Sequence, residues 1–459
     1  MTQISTKPPS GMRDFLPDEA SRRKRVFDVI AEVYESYGFE PLQTPSMERL
    51  TTLLGKYGEE GDQLLFKVMK RGQKLERALA EDDPSDTDVA DMGLRYDLTV
   101  PLARIVAEYQ NDLPRFFKRY QIAPVWRADR PQHGRFREFY QCDVDVVGSS
   151  SMTVEAEVTA ALAEVLGRLG LSDFRIHINH RQLLSAVMEK ANIPPEKQGG
   201  ALISIDKLDK VGRNAVMEEL EKERGISRDS IDILLPLLGP LPGAESDPQE
   251  TLARLREEVG DLDDGATGLD DLENILRFGA DGPAARHFVV DPYLARGLAY
   301  YTGPIFEIRS DDAAGSIGGG GRYDELIGMF TKQQLPACGF SLGIERILVV
   351  MEERGLFDDE PAPADVLVTL WDDDLTANSF RLAQQLRAAE LRVDVYPDTD
   401  RYGKQFKYAD RRNIPFVAIL APDEAEAGVV ALKDMKSGDQ EKVDRDEVAD
   451  WIIKRVKKI

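Results

Sequence analysis

The sequence predicts an α+β chain of more than one domain: an antiparallel sheet flanked by helices, interrupted by a helical insertion, then followed by a compact α/β domain. Three observations predict this. An apolar run ending at Trp126 and a period-two run from Phe136 to Val147 are joined by a Pro-Gln-His-Gly turn, the pattern of an antiparallel hairpin with one face on a core. From Arg181 to about Ala285 the alternation yields to helical segments, Pro-rich punctuation (Leu235 to Pro242) and an acidic stretch (Asp261 to Asp271). Beyond a Gly/Pro/acidic linker, Glu353 to Pro363, strand and helix patterns alternate in short units.

In chain order, Ser10 to Asp18 is a loop whose Pro17 and Asp18 suit a helix start. Glu19 to Tyr37 carries Val26, Val29, Ile30, Val33 and Tyr37 near helical spacing, and Gly38 ends it. Phe39 to Thr44 is extended, and Pro45 confines it to an edge or a terminus; a long helix feeding an edge strand suits either a subunit contact or packing on its own domain. Leu64 to Met69 reads as a strand and Glu81 to Asp91 as an acidic, mobile loop. Gly93 to Arg104 reads as extended up to Pro101, which would set Arg95, Asp97 and Thr99 on one strand face. Val154 to Leu169 is a helix stopped by Gly170, and Phe174 to Ile178 a strand. Sheet character returns at His287 to Asp291, Leu294 to Ile308 is aromatic and turn-rich, and Ala337 to Val350 runs a strand through Gly343 into a helix. The last domain has strands at Asp365–Leu370, Arg392–Val395, Phe416–Leu420, Val429–Leu432 and Glu441–Val443, with helices at Thr376–Ala389, Gly403–Arg412 and Asp446–Lys457.

The 459 residues carry 82 acidic and 59 basic side chains, a formal net charge of −23. Overall charge therefore opposes nucleic acid, while leaving room for a local basic groove. Cys142 and Cys338 are the only cysteines, so neither a disulfide framework nor a Cys-rich zinc site is expected. His177 and His180 lack a third ligand near them in sequence, so no metal site is assigned to protein side chains. No apolar run is long enough to span a bilayer, and MTQISTKPPSG lacks the apolar stretch of a signal peptide; a cytoplasmic protein with no membrane association is expected.

Several stretches carry chemistry. Arg127, Arg130, Arg135 and Arg137 surround Pro131 and Gly134 at the hairpin. A planar, permanently charged fork on a rigid strand suits a phosphate or carboxylate, although ordinary surface charge reads the same way. Asp97 and Thr99 suit an ammonium group, or a capped strand end. Arg296 precedes Tyr300 and Tyr301; four glycines at 318–321 permit close backbone approach to a ligand or a tight hairpin; Arg346 sits where a strand meets a helix, suited to a phosphate or a salt bridge. The glycine run has neither the Lys-Ser/Thr of a phosphate-binding P-loop nor a dinucleotide fingerprint. Lys404, Lys407 and Arg411 share a helix face, as a basic stripe or as solvated charges.

In this order the motifs resemble class II aminoacyl-tRNA synthetases over essentially the whole chain. Glu19 to Pro45 is similar to the first class motif, Phe117 to Val147 to the second, and Gly339 to Val349 to the third. ARGLAYYTG (295–303), GGGGRYD (318–324) and LRYDLTVPLAR (94–104) resemble signatures of the histidyl-tRNA synthetase family. The resemblance implies a class II catalytic core in two parts, 1–180 and 286–355, around a helical insertion, 181–285, with an anticodon-binding domain at 362–459. It implies ATP-dependent activation of L-histidine and transfer to tRNA(His), with Mg2+ and a homodimer. Asp97, Thr99, Gln141, Asp145, Tyr300, Tyr301 and Tyr323 would bind histidine. Arg127, Arg296 and Arg346 would be catalytic and hold ATP; Arg130, Arg135, Lys404, Lys407 and Arg411 would touch tRNA. Ala299 departs from the acid common in the family signature. The alternative implied by the same core is a histidine-sensing regulatory paralogue without aminoacylation activity.

Overall fold

The structure is a computed structural model that describes residues 4–54, 63–131, 134–240, 246–295, 300–313, 315–357 and 362–456. It divides into two compact units, Met1–Phe357 and Asp358–Ile459.

The first unit begins with helix α1 (Pro17–Ser36), opened by Pro17 with Asp18 and Glu19 in its first turn, where acids complement the helix dipole. It buries Arg23, Val26, Ile30, Val33 and Tyr34. Gly38, at φ +78°, turns the chain into the edge strand β1 (Glu40–Pro41). A three-stranded sheet follows from β2 (Met47–Arg49), β3 (Lys67–Met69) and β4 (Ala90–Leu94), in order β2-β4-β3. Helix α2 (Thr99–Glu108) leads to the hairpin β5 (Phe117–Trp126) and β6 (Glu138–Val147), ten residues each and in unbroken register from Phe117↔Val147 to Trp126↔Glu138. Helix α3 (Thr153–Arg168) and β7 (Phe174–His180) precede the insertion. Then come β8 (Phe288–Val290), β9 (Pro304–Ser310), β10 (Gly318–Arg322) and β11 (Ala337–Gly343), which runs into helix α4 (Ile344–Glu353).

Among the described residues these strands form an eight-stranded sheet, β1-β5-β6-β11-β10-β9-β7-β8. Its interior pairs are antiparallel, and a parallel pair closes each edge, β1 with β5 and β7 with β8, so the sheet is mixed. The insertion is helical, including Arg181–Lys190, Arg228–Leu238, Pro248–Val259 and Asp263–Phe278. Its Leu183, Ile231, Leu255 and Leu272 belong to the same apolar cluster as Ile30 of α1 and Val144 of β6. It therefore adds to the core of the first unit.

Two expectations are corrected. Asp97 and Thr99 do not share a strand face. β4 stops at Leu94, and α2 starts at Thr99 because the Asp97 carboxylate accepts the Val100 amide at 3.0 Å, a local bond that outcompetes the extended form. The acidic stretch 81–91 is not all loop: Ser85 and Asp88 form a reciprocal cap on the turn Asp86–Val89, and β4 begins at Ala90.

The glycine run forms β10, which lies inside the sheet. A Cβ on Gly320 would lie 2.1 Å from the Gly339 carbonyl oxygen, so the run answers to close strand packing.

In the second unit β12 (Val366–Val368), β13 (Val393–Val395), β14 (Phe416–Ile419), β15 (Val429–Asp434) and β16 (Gln440–Asp444) form a sheet ordered β13-β12-β14-β15-β16. β12 pairs in parallel with both neighbours; the other two pairs are antiparallel. Helices α5 (Asp373–Ala388), α6 (Tyr402–Arg411) and α7 (Val448–Val456) accompany it, near the predicted ranges.

Candidate active site

Period-two alternation on β6 sends Gln141, Asp143 and Asp145 to one face, where they line a cleft of about 390 Å³. Cross-strand register continues each row: Asp145 stands between Arg119 of β5 and Gly339 of β11, and Asp143 between Gln121 and Ser341. A Cβ on Gly339 would lie 1.8 Å from Asp145 Oδ1, so glycine there makes room for the carboxylate. Arg119 is fully buried, and its Nη2 pairs with Asp145 Oδ2 at 2.8 Å. Tyr323 donates its hydroxyl to the other oxygen, Oδ1.

Burial raises the Asp145 pKa, and Arg119 and the Tyr323 hydrogen bond counter it. Asp143 is pushed up to about 7, first by burial; Arg119 and the Ser341 hydroxyl pull it down, while Asp145 and Asp97 push it up. Tyr300 stands edge-on to Tyr301 and Tyr323, with ring centroids 4.9 and 6.1 Å away. Burial raises the Tyr300 and Tyr323 pKa well above the usual phenol value, so both hydroxyls stay neutral donors.

The lining changes sign along β6. Near its first residues stand cations. Arg127 follows the end of β5, where its amide bonds the Arg137 carbonyl at 2.9 Å. Its guanidinium lies 4.2 Å over the Tyr96 ring and donates Nε to the Tyr96 carbonyl at 3.1 Å. Arg346, in the first turn of α4, donates to the Ser316 carbonyl and is half-buried. Burial lowers its pKa, Glu307 raises it and Arg135 lowers it again. Arg135 lines the cleft and pairs with Asp129 at 2.7 Å. Glu345 fastens this end: its two oxygens accept from Arg23 at 2.8 and 2.9 Å, from Arg13, and from the Tyr140 amide at 3.4 Å.

Of the residues read from sequence, Asp97, Thr99, Arg127, Arg135, Gln141, Asp145, Tyr300, Tyr301, Tyr323 and Arg346 all line this cleft. Arg130 is exposed, and Arg296 lies outside the described residues. Lys404, Lys407 and Arg411 stand exposed on α6 of the second unit, Lys404 paired with Asp400 at 2.6 Å. Arg119, Gln121, Asp143, Ser341 and Glu345 were missed. Gln141 and Asp145 rest on the resemblance, while the period-two pattern of the same run already sets Asp143 on their face; Glu345 gave no local signal, since its partners are distant in sequence. His177 and His180 pair with Asp291 and Asp271 at 2.8 and 3.2 Å. No group of three or more His, Cys, Asp or Glu among the described residues could hold a metal ion, and no described helix is long and apolar enough to cross a membrane.

A family model described as histidyl-tRNA synthetase matches residues 11–347, and one described as an anticodon binding domain matches residues 365–455. A histidine–tRNA ligase of Porphyromonas gingivalis is 43% identical over 446 residues, covering 95% of this chain and 97% of its own length. The crystal structure of histidyl-tRNA synthetase from Nostoc sp. PCC 7120 superposes with a TM-score of 0.83 at 32% identity, covering 99% of this chain and 100% of that one. A Bacillus halodurans structure titled as an ATP phosphoribosyltransferase regulatory subunit/histidyl-tRNA synthetase has a TM-score of 0.72 at 22% identity; it covers 88% of this chain and 97% of its own, a likeness of fold alone.

Proposed function

Because the chain belongs to the histidyl-tRNA synthetase family, we propose that it is a histidine–tRNA ligase. It activates L-histidine with ATP to histidyl-adenylate and pyrophosphate, then transfers histidine to the 3′ end of tRNA(His). The observation that carries the reading is the change of sign along one strand: carboxylates with a tyrosine cluster at one end of the cleft, arginines at the other.

A zwitterionic amino acid fits that gradient in one orientation, ammonium toward the acids and carboxylate toward the arginines. The reaction joins two anions, the histidine carboxylate and the α-phosphate of ATP. The carboxylate is already ionised, so no general base is needed; positioning and fixed positive charge are. In this reading Arg127 holds the α-phosphate and the histidine carboxylate, Arg346 the terminal phosphates, and Arg296, by resemblance alone, supplies a further cation at the α-phosphate. Asp97 and Thr99 hold the ammonium, with Gln141 and Asp145 completing the pocket. Tyr300, Tyr301 and Tyr323 receive the imidazole, an aromatic ring in an aromatic box.

The carboxylates at the cation end are engaged, Glu345 by Arg13 and Arg23 and Asp129 by Arg135, and do not fit a protein-held metal centre. Mg2+ belongs in this reading to the nucleotide's own phosphates.

Transfer needs tRNA at two places. Arg135, at the cleft, and exposed Arg130 suit the acceptor end. On the second unit Trp371, 45% exposed, Tyr402 and Phe406 form a ladder with centroids 5.4 and 5.8 Å apart, and Lys433 stands 4.7 Å over Phe406. With Lys404, Lys407 and Arg411 on the same helix as Tyr402 and Phe406, stacking surface and positive charge support an anticodon contact. A homodimer and a cytoplasmic location complete the reading. The regulatory alternative is disfavoured, since Arg127 and Arg346 both line the cleft and a second unit matching an anticodon binding domain is present.

The test is exchange of labelled pyrophosphate into ATP, without tRNA, across all the amino acids. Histidine alone should support it. Exchange driven by a different amino acid would overturn the pocket assignment.

A further inference from the structure

Asp143 has no part in the reading above, yet it projects into the middle of the acidic end and is 2% exposed. Its neighbours are spoken for: Asp145 is paired with Arg119 and bonded by Tyr323, and Asp97 Oδ1 accepts the Val100 amide. Among the described residues no lysine or arginine nitrogen lies within ion-pair distance of Asp143. A carboxylate buried without its own cation costs free energy unless something supplies the charge.

A second group is incomplete beside it. Gln141 Nε2 donates to Ser341 Oγ at 2.8 Å and lies 3.4 Å from Asp143 Oδ1. That geometry leaves Gln141 Oε1 buried with no donor, and Gln121 Oε1, on the β5 residue that faces Asp143, is in the same state. Buried acceptors normally find donors. A carboxylate bonded only by the Ser341 hydroxyl and a 3.4 Å amide contact, with no cation of its own, beside an amide oxygen without a donor, matches a small cation bearing several N–H groups.

We propose that Asp143 is a substrate-binding residue of this pocket: with Gln141 Oε1, its carboxylate receives the α-ammonium of the amino-acid substrate. The inference rests on the reading of the cleft as a histidine-activating site and adds a carboxylate to the ammonium end.

The charged and titratable groups facing Asp143 are few. Arg119 comes from β5, Arg95 from the segment after β4, Asp97 from the turn before α2, Asp145 and Cys142 from β6 itself, Tyr34 from α1 and Tyr300 from the segment before β9. Burial with Asp145 and Asp97 outweighs Arg119, so Asp143 holds its proton up to about 7. Arrival of an ammonium favours the ionised carboxylate and expels that proton. Affinity for ammonium-bearing ligands through Asp143 therefore strengthens as pH rises through neutrality and weakens as it falls.

The experiment is calorimetric titration of the full-length protein and of Asp143→Asn with three ligands: L-histidine, L-histidinol, which keeps the ammonium but lacks the carboxylate, and imidazolepropionate, which lacks the ammonium. Loss of one charge-assisted contact should weaken histidine and histidinol about 10- to 100-fold. Imidazolepropionate should change less than about twofold, because its missing ammonium never engaged the carboxylate. The pH dependence of histidinol binding near neutrality should flatten in the variant relative to the parent, a comparison in which the ligand's own imidazole titration is common to both. Asp143→Asn removes a buried charge while keeping shape, so its melting temperature should be unchanged or higher at neutral pH. Asp143→Ser is the second variant, with the same expected ligand pattern. Equal weakening of imidazolepropionate and histidine, or unchanged histidinol affinity, overturns the proposal. If the parent protein exchanges pyrophosphate with histidine while Asp143→Asn keeps its histidine KM and pH profile, only this inference falls. If the parent shows no histidine-dependent exchange, the reading of the site falls first.

Discussion

The two units carry positive charge in opposite ways. In the first, Arg119 is fully buried against Asp145, and Arg127 and Arg346 are half-buried at element ends, each tied to a backbone carbonyl. In the second, Lys404, Lys407 and Arg411 stand exposed on one face of α6. Buried charge is held in place and weakly screened, so each group should matter individually; exposed charge is hydrated and screened by salt, so its members act together and weakly. The difference teaches where to look for chemistry and where for recognition.

The largest expected effect tests the cation end. Arg127→Ala and Arg346→Ala should each slow histidine-dependent pyrophosphate exchange about 100- to 1000-fold, as loss of a fixed transition-state donor does. Neither should lower the melting temperature much. Retention of exchange within a few-fold would place phosphate chemistry elsewhere.

Next is the buried pair. Arg119→Met leaves Asp145 without its paired cation and removes the nearest positive field from Asp143, and should cost about 3–5 kcal/mol of stability in urea melts. Both carboxyls have pKa values raised in the folded state, so their charge penalises folding more as pH rises. The cost of Arg119→Met should therefore be smaller at about pH 5 than at about pH 8. An equal cost at both would assign the loss to packing instead.

A smaller effect separates space from charge. Gly339→Ala sets a methyl 1.8 Å from the present position of Asp145 Oδ1. It should cost about 1–3 kcal/mol by overpacking. Histidine KM should rise while ATP KM holds, since Asp145 moves and the arginines do not. A rise confined to ATP would contradict the assignment of the acidic end.

The smallest effect belongs to the exposed stripe. Lys407→Glu with Arg411→Glu should raise tRNA KM about three- to tenfold in low salt, with the difference shrinking as salt is added. Exchange without tRNA should be untouched. An unchanged tRNA KM would remove this helix from the interface.

The stripe shows how far sequence alone reaches. Lys404, Lys407 and Arg411 are legible because a helix repeats locally, and the alternating units of the second domain gave element ranges close to those of β12 to α7. The hairpin β5–β6 was equally legible, since period-two alternation is a property of the strand itself. Asp97 was not: as a strand residue it would have stood beside Arg95, and one side-chain bond to the Val100 amide ended the strand instead.

By itself, then, the sequence determined the elements whose pattern is local: the long first helix, the hairpin and the α/β repeat. Resemblance of its ordered motifs pointed to the family. Tertiary structure decided what depends on register between distant strands. The row Gln121–Asp143–Ser341 and the packing of Asp145 over Gly339 join residues up to 220 positions apart, from Gln121 to Ser341. Glu345 gathers Arg13 and Arg23 across more than 300 residues. Such contacts leave no periodic trace, because their energy comes from burial and pairing that exist only once the sheet has closed.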